Sequence, residues 1–250
     1  MNEPCNDLGE EILSAVGDEI KRSGCDCILF SGGVDTSVVA LAARLAGLSP
    51  KLVTVLYEGS TDERYALYVA EALGLEIHLV RPSVSQMLQC VDEALRAMTT
   101  IDPIEVASAA AVCSGLLKAK ELGCGCVATG DGGDELFIGY DFLLGKSAQE
   151  LSAWLLRVLS DAFFNSVPVG NRLGVKVGLP LYSQRAKELA LRSFNEGCSV
   201  REREGRVYGK YVLRSALERH SLPLVAWRPK DPITRGSGAQ SLLKVMRELI

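Results

Sequence analysis

The chain is poor in histidine, in long apolar runs and in zinc-type cysteine spacings, and each shortage removes a class of function. Only His78 and His220 occur among 250 residues, which argues against histidine-based metal or triad chemistry. No stretch of 18 apolar residues exists, so no membrane-spanning helix is expected. The opening MNEPCNDLGEEIL is acidic and polar, unlike a signal peptide, and the expectation is a cytoplasmic protein with no membrane partner. The eight cysteines include no C-x-x-C and no Cys/His set at zinc spacing. A net charge of −4 and a pI near 5.4 give no global basic character, so no nucleic-acid partner is expected. The charge is uneven: Arg201 to Ile250 carry 11 Lys/Arg against 5 Asp/Glu. That basic fifth either faces an anionic ligand or forms a solvated helical surface.

What is present is a core-forming chain, 48% hydrophobic, with no repeat and no low-complexity linker. Leu8, Ile12, Leu13, Val16 and Ile20 recur at helical spacing over 8–23. Four short apolar runs, at 25–30, 51–59, 76–80 and 124–130, read as buried strands. Helical patterns separate them at 36–48, 62–75 (Asp62 as N-cap), 83–98 and 107–123. Strands alternating with helices predict an α/β fold, a parallel sheet with helices on both faces. From about residue 146 the pattern is mainly helical. The expected layout is one domain over 1–250, with an α/β nucleotide-binding core at 1–145 and a helical C-terminal region at 146–250 packed on it.

The first strand runs into SGGVDTS, residues 31–37. In an open parallel sheet ligands bind beyond the C-terminal strand ends, and this turn lies there. Gly32 and Gly33 let backbone N–H groups approach an anion without a Cβ in the way, and the helix N-terminus adds donors and positive potential. Ser31, Thr36 and Ser37 add hydroxyls. Asp35 would repel phosphate unless a cation such as Mg2+ lies between them. The Lys-Ser/Thr of a Walker A loop is missing, as is G-x-G-x-x-G. The plain alternative is an ordinary strand–turn–helix junction.

SGGVDTS resembles the PP-loop of the N-type ATP pyrophosphatases. GDGGDELFIGY (130–140) resembles the second motif of the asparagine synthetase synthase domain. GVKVGLPLY (174–182) and YGKYVLRSALERHSLPLVAWRPKDP (208–232) resemble two later segments of that family. The resemblance implies an adenine nucleotide α-hydrolase-like fold that uses ATP and Mg2+. A carboxylate, aspartate or a related acid, attacks the α-phosphate and pyrophosphate leaves. Ammonia or another amine then displaces AMP from the acyl-adenylate. By the same resemblance Ser31, Gly32, Gly33, Val34, Asp35, Thr36, Ser37 and Gly130 hold the nucleotide, and Leu56 lies near the adenine. Asp35 and Asp134 would ligate Mg2+. Lys230 would stabilise transition-state charge, and Asp131 would manage the amine's protons.

Three departures qualify the resemblance. Residue 2 is Asn2 and only 30 residues precede the PP-loop, which leaves no room for the family's N-terminal glutaminase domain. Nitrogen is therefore expected from free ammonia, another amine or a separate glutaminase subunit. The stretch ASAAA (107–111) replaces a polar, basic cluster that helps the family bind aspartate, and no Lys or Arg lies between Arg96 and Lys118. Arg172 or Arg235 could substitute, or the acid differs. Finally, Cys25 and Cys27 precede Ser31 by the offsets at which Cys124 and Cys126 precede Gly130, so the two C-x-C pairs sit side by side if their strands are neighbours. They are either small buried apolar residues or disulfide partners. Other functional readings are a PP-loop tRNA-modifying enzyme and a non-catalytic ATP-binding paralogue or subunit. Trp154 reads as helix core and Trp227 as the anchor of the loop that carries Lys230. The chain could form a homo-oligomer.

Overall fold

The computed structural model describes residues 3–229 and 236–239. In chain order its elements are α1 (Glu3–Ser23), β1 (Cys27–Leu29), α2 (Val34–Leu45), β2 (Lys51–Val55), α3 (Glu63–Leu73) and β3 (Ile77–Val80). Then come α4 (Val84–Ala97), α5 (Pro103–Glu121), β4 (Cys126–Ala128), α6 (Gly133–Leu136), α7 (Ala148–Ser160) and α8 (Ser166–Leu173). The last are β5 (Lys176–Gly178), α9 (Gln184–Asn195), β6 (Val200–Arg203), β7 (Arg206–Gly209), α10 (Tyr211–Arg219) and α11 (Pro223–Ala226).

Five strands form a parallel sheet in the order β3-β2-β1-β4-β5. The fold is thus the expected α/β arrangement, with β1 and β4 adjacent at the centre. Both are short and apolar because both of their faces are covered. One face is covered by α1 and α2, where Leu8, Ile12, Val16 and Ile20 are wholly buried. The other is covered by α5, whose alanines 107, 109, 110 and 111 let it lie close to the strands. At Gly115 any Cβ would stand 2.1 Å from Leu29 Cδ1. Glycine is what allows α5 to touch β1.

Several expectations need correction. The helix expected at 107–123 starts at Pro103, because Asp102 caps it by accepting from the Ile104 and Glu105 N–H groups. Asp62 makes no side-chain cap on α3. Its carboxylate turns to Arg228 instead. The region after 146 also contributes a fifth strand, β5, beside β4, and an antiparallel hairpin, β6–β7.

The cysteines pair off. Cys5–Cys198 joins α1 to the segment after α9. Cys25–Cys126 and Cys27–Cys124 tie β1 to β4 at their N-terminal ends. The bland reading of these cysteines as unlinked apolar residues is therefore replaced by three cross-links. Cys90 and Cys113 stay as buried thiols. No helix among the described residues is long and apolar enough to cross a membrane.

Candidate active site

A cavity of about 670 Å3 opens at the C-terminal edge of the sheet. The Gly-rich turn forms its floor. Gly32 adopts φ +64°, and a Cβ there would lie 2.5 Å from the Ala66 nitrogen, so only glycine lets the turn pack against α3. Ser31 Oγ accepts from Gly33 N–H at 3.2 Å and pairs with Thr36 Oγ1 at 3.2 Å. Ser31, Gly33, Val34, Asp35 and Thr36 line the cavity. Ser37 is fully buried, and its N–H continues the helix to Gly33 O. Leu56 is buried with its N–H given to Val80 O, and Val55 is the β2 residue that faces the cavity.

The loop after β4 abuts this turn. A Cβ on Gly130 would stand 3.0 Å from Asp35 Cβ, and one on Gly133 would stand 2.3 Å from the Asp35 carboxylate. These glycines bring the two loops against each other, and that contact carries Asp35 and Asp134 together.

A lysine joins them. Lys210 Nζ lies 2.5 Å from Asp35 Oδ2 and 2.9 Å from Asp134 Oδ1. Its side chain is 6% exposed and its backbone is left-handed, φ 56°. Burial lowers its pKa, but Asp134 and Asp35 outweigh that and hold it above the ordinary lysine value. A Cβ on Gly139 would meet Lys210 Cε at 2.0 Å, so Gly139 keeps open the channel for that side chain. The resemblance of YGKYVLR to the family does not by itself point to Lys210. The available signal was a Gly-Lys pair just before a helix.

Asp131 is half-buried at the cavity wall. It accepts from Thr129 Oγ1 at 2.8 Å and from the Ser166 hydroxyl. Burial pushes its carboxyl pKa up, against the two hydroxyls that pull it down. Glu135 is likewise raised, first by burial, and its partner is the Tyr140 hydroxyl. Trp154 Nε1 donates to Glu135 O at 3.0 Å, which fixes α7 under this loop.

The segment around Trp227 is clasped by two buried arginines. Arg228 donates to Gly32 O at 3.0 Å and to Asp62 Oδ1 at 3.0 Å, and stacks 3.9 Å over Tyr65. Arg214 donates to the carbonyls of Gly209, Ala226 and Arg228. Trp227 packs edge-on to Tyr208 with Arg203 over its ring. Lys230 and Arg235 lie outside the described residues. Arg172 pairs with Glu93 at 2.5 Å and is not among the cavity-lining residues.

Among the described residues no group of three or more His, Cys, Asp or Glu is placed to hold a metal ion. Asp35 and Asp134 are two carboxylates converging on one point. Mg2+ takes one or two protein carboxylates and completes its shell with substrate phosphates and water, so this donor set fits it.

These features define an α/β protein with a Gly-rich strand-to-helix turn and an opposed acidic loop at the C-terminal edge of its sheet. A family model described as asparagine synthase matches residues 8–206, and the chain belongs to that family of ATP-dependent ligases. The glutamine-hydrolyzing asparagine synthetase B of Escherichia coli (strain K12) is 25% identical over 254 residues, covering 93% of this chain and 45% of the relative. The glutamine-hydrolyzing asparagine synthetase of Brassica oleracea is 29% identical over 250 residues, covering 91% and 42%. The chain therefore spans less than half the length of these curated relatives. Among solved structures, NMN synthetase from Francisella tularensis gives a TM-score of 0.40 at 15% identity, over 91% of this chain and 98% of the other. NAD+ synthetase from Burkholderia pseudomallei gives 0.34 at 16% identity, over 97% and 88%.

Proposed function

We propose that the chain is an amide-forming ligase that activates a carboxylate with ATP, releasing pyrophosphate and then AMP. The observation that carries this reading is the meeting of Asp35, Asp134 and Lys210 over the Gly-rich turn. Two loops that supply acids and one helix start that supplies a buried cation make a site for a polyphosphate with its metal.

The roles follow from the positions. The N–H groups of the turn at Ser31–Thr36 hold the pyrophosphate portion as a helix N-terminus holds an anion. Asp35 and Asp134 would hold Mg2+, which when bound neutralises charge on the leaving pyrophosphate. Lys210 adds a fixed positive charge at the same point, and it needs no reorganisation because both carboxylates already position it. Lys230, by its place in the W-R-x-K segment, supplies a second cation. Asp131 takes the proton of the attacking amine. Its raised pKa brings it closer to working pH, which favours a general base, and Thr129 and Ser166 orient its oxygens. Leu56 supports the adenine end from behind Val55.

The nitrogen donor is ammonia or another amine. The test is release of pyrophosphate and AMP by the purified chain with Mg-ATP and a panel of carboxylates, with and without ammonium. Equal yields of AMP and amide are expected for at least one acid. ATP binding without AMP formation for every acid would leave a binding paralogue in place of a ligase.

A further inference from the structure

The cavity has two chemically different ends, and α5 measures the distance between them. Tyr57 Oη pairs with Ser114 Oγ at 2.8 Å and donates to Ala110 O at 3.3 Å. That part of α5 therefore stands at the C-terminal end of β2, against Leu29 and Val55. Ile104 and Glu105 lie one and a half to three turns earlier, roughly 8–16 Å along the helix. There Glu105 Oε2 accepts from Asn165 Nδ2 at 2.7 Å, and the next residue, Ser166, donates to Asp131. This second end is thus bounded by the start of α5, by the 163–166 loop and by Asp131, the group proposed to handle the amine.

Its surface is apolar and acidic. Ile104 and Phe163 form a rim, 58% and 66% exposed, with Phe164 behind them. Ser108 is committed to Ile104 O at 2.9 Å. The Lys and Arg side chains that line the cavity among the described residues are Lys210, Arg214 and Arg228. All three are held toward the phosphate end, on Asp35 and Asp134, on backbone carbonyls, and on Asp62 with Gly32 O. A second carboxylate on the acceptor would stand beside Glu105 and Asp131, where like charge is unfavourable. An apolar body would instead cover two exposed large side chains at the mouth.

We propose that the acceptor is a monocarboxylate with an uncharged, apolar body, and that Ile104 and Phe163 select it over dicarboxylates. This rests on the ligase reading above. The experiment measures kcat/KM for AMP formation with Mg-ATP and ammonium, using 3-phenylpropionate and 4-methylpentanoate against succinate and aspartate. The melting temperature with and without Mg-ATP is recorded in parallel. The apolar acids are expected to exceed the dicarboxylates by tenfold or more. Phe163→Ala should cut kcat/KM for the apolar acids by about tenfold, the order expected for uncovering one aromatic contact. Ser108→Arg should raise it for succinate. If succinate or aspartate equals or exceeds the apolar acids, the acceptor class is wrong and the ligase reading stands. If Mg-ATP raises the melting temperature but no acid yields AMP, the ligase reading fails and the acceptor class with it.

Discussion

Replacing Lys210 by methionine tests the site at its centre. The substitution keeps most of the chain length and removes a charge 2.5 Å and 2.9 Å from two carboxylates. Breaking a buried ion pair by removing one partner costs about 3–5 kcal/mol, because a charge is left in a poor solvent. Asp35 and Asp134 are 18% and 25% exposed, so water recovers part of that cost and the lower end, about 3 kcal/mol, applies. For a chain of this size that corresponds to a fall in melting temperature of roughly 6–12 °C. Two carboxylates brought together without the lysine should also bind divalent cation better. Millimolar Mg2+ alone should therefore recover more of the melting temperature in the variant than it adds to the wild type. Nucleotide affinity, read by calorimetry, should fall at least tenfold. Differential scanning fluorimetry with and without Mg2+ gives the stability result. A melting temperature within 2 °C of wild type, with ATP affinity unchanged, would refute the account of Lys210 as the cation that holds this site together.

Gly139→Ala offers a separate route to the same site, since its Cβ would lie 2.0 Å from Lys210 Cε and 2.2 Å from Asp134 Oδ1. It should weaken ATP binding while leaving every charge in the chain, and wild-type affinity in this variant would contradict the close packing there. Thiol titration under denaturant without reductant should find two reactive groups, Cys90 and Cys113, and eight would eliminate all three disulfides. Cys5–Cys198 spans 193 residues, of which the 101 between Cys25 and Cys126 are already closed, so the remaining loop is about 92 residues and the bond contributes about 4–5 kcal/mol. Cys5→Ser combined with Cys198→Ser should thus lower the melting temperature by roughly 10 °C, a shift that reductant would no longer produce at that bond. Asp131 has its folded pKa raised by burial, so the native state holds a proton that the unfolded state releases. Stability from this group then falls as pH rises from the ordinary carboxyl value of 3.8 to the raised folded value. Asp131→Asn should melt above wild type at neutral pH, with the gap closing toward pH 4, and a gap independent of pH would contradict the burial argument.

The parts of the fold that were legible in sequence are those whose signal is local. Strands β1, β2 and β4 are largely buried and read as apolar runs that end at glycine, serine or tyrosine, whereas β3 is a half-buried edge strand read from Ile77, Leu79 and Val80. β5 is a Lys-Val-Gly triplet with its lysine exposed, and only its pairing with β4 makes it a strand. The hairpin β6–β7 carries arginines where a strand usually carries aliphatics. Its support is tertiary: Arg201, Arg203 and Arg206 stack on Tyr211, Trp227 and Tyr208. The start of α5 carries a cap signal at Asp102-Pro103, but Asp-Pro reads equally as a turn. Asp62 shows the reverse error. It has the residue type and position of an N-cap, yet its partner is Arg228, 166 residues away, and local pattern cannot weigh a contact of that span. Lys210 was missed for the same reason, since the acid it meets at 2.5 Å is 175 residues distant.

The equal offsets of the two C-x-C pairs from the two Gly-rich loops carry one further step. Equal spacing alone would set Cys25 against Cys124 and Cys27 against Cys126. The sheet instead pairs Cys27 with Val127, one residue out of that alignment, and the bonds form crosswise as Cys25–Cys126 and Cys27–Cys124. A parallel strand cannot slip without turning every side chain to the other face, so this register fixes both ends of β1 and β4 at once. At the N-terminal ends it brings the cysteines within bonding reach. At the C-terminal ends it sets Gly130 and Gly133 against Asp35. Cross-links at one end of two neighbouring strands thus resist the same one-residue shift that would separate Asp35 from Asp134 at the other.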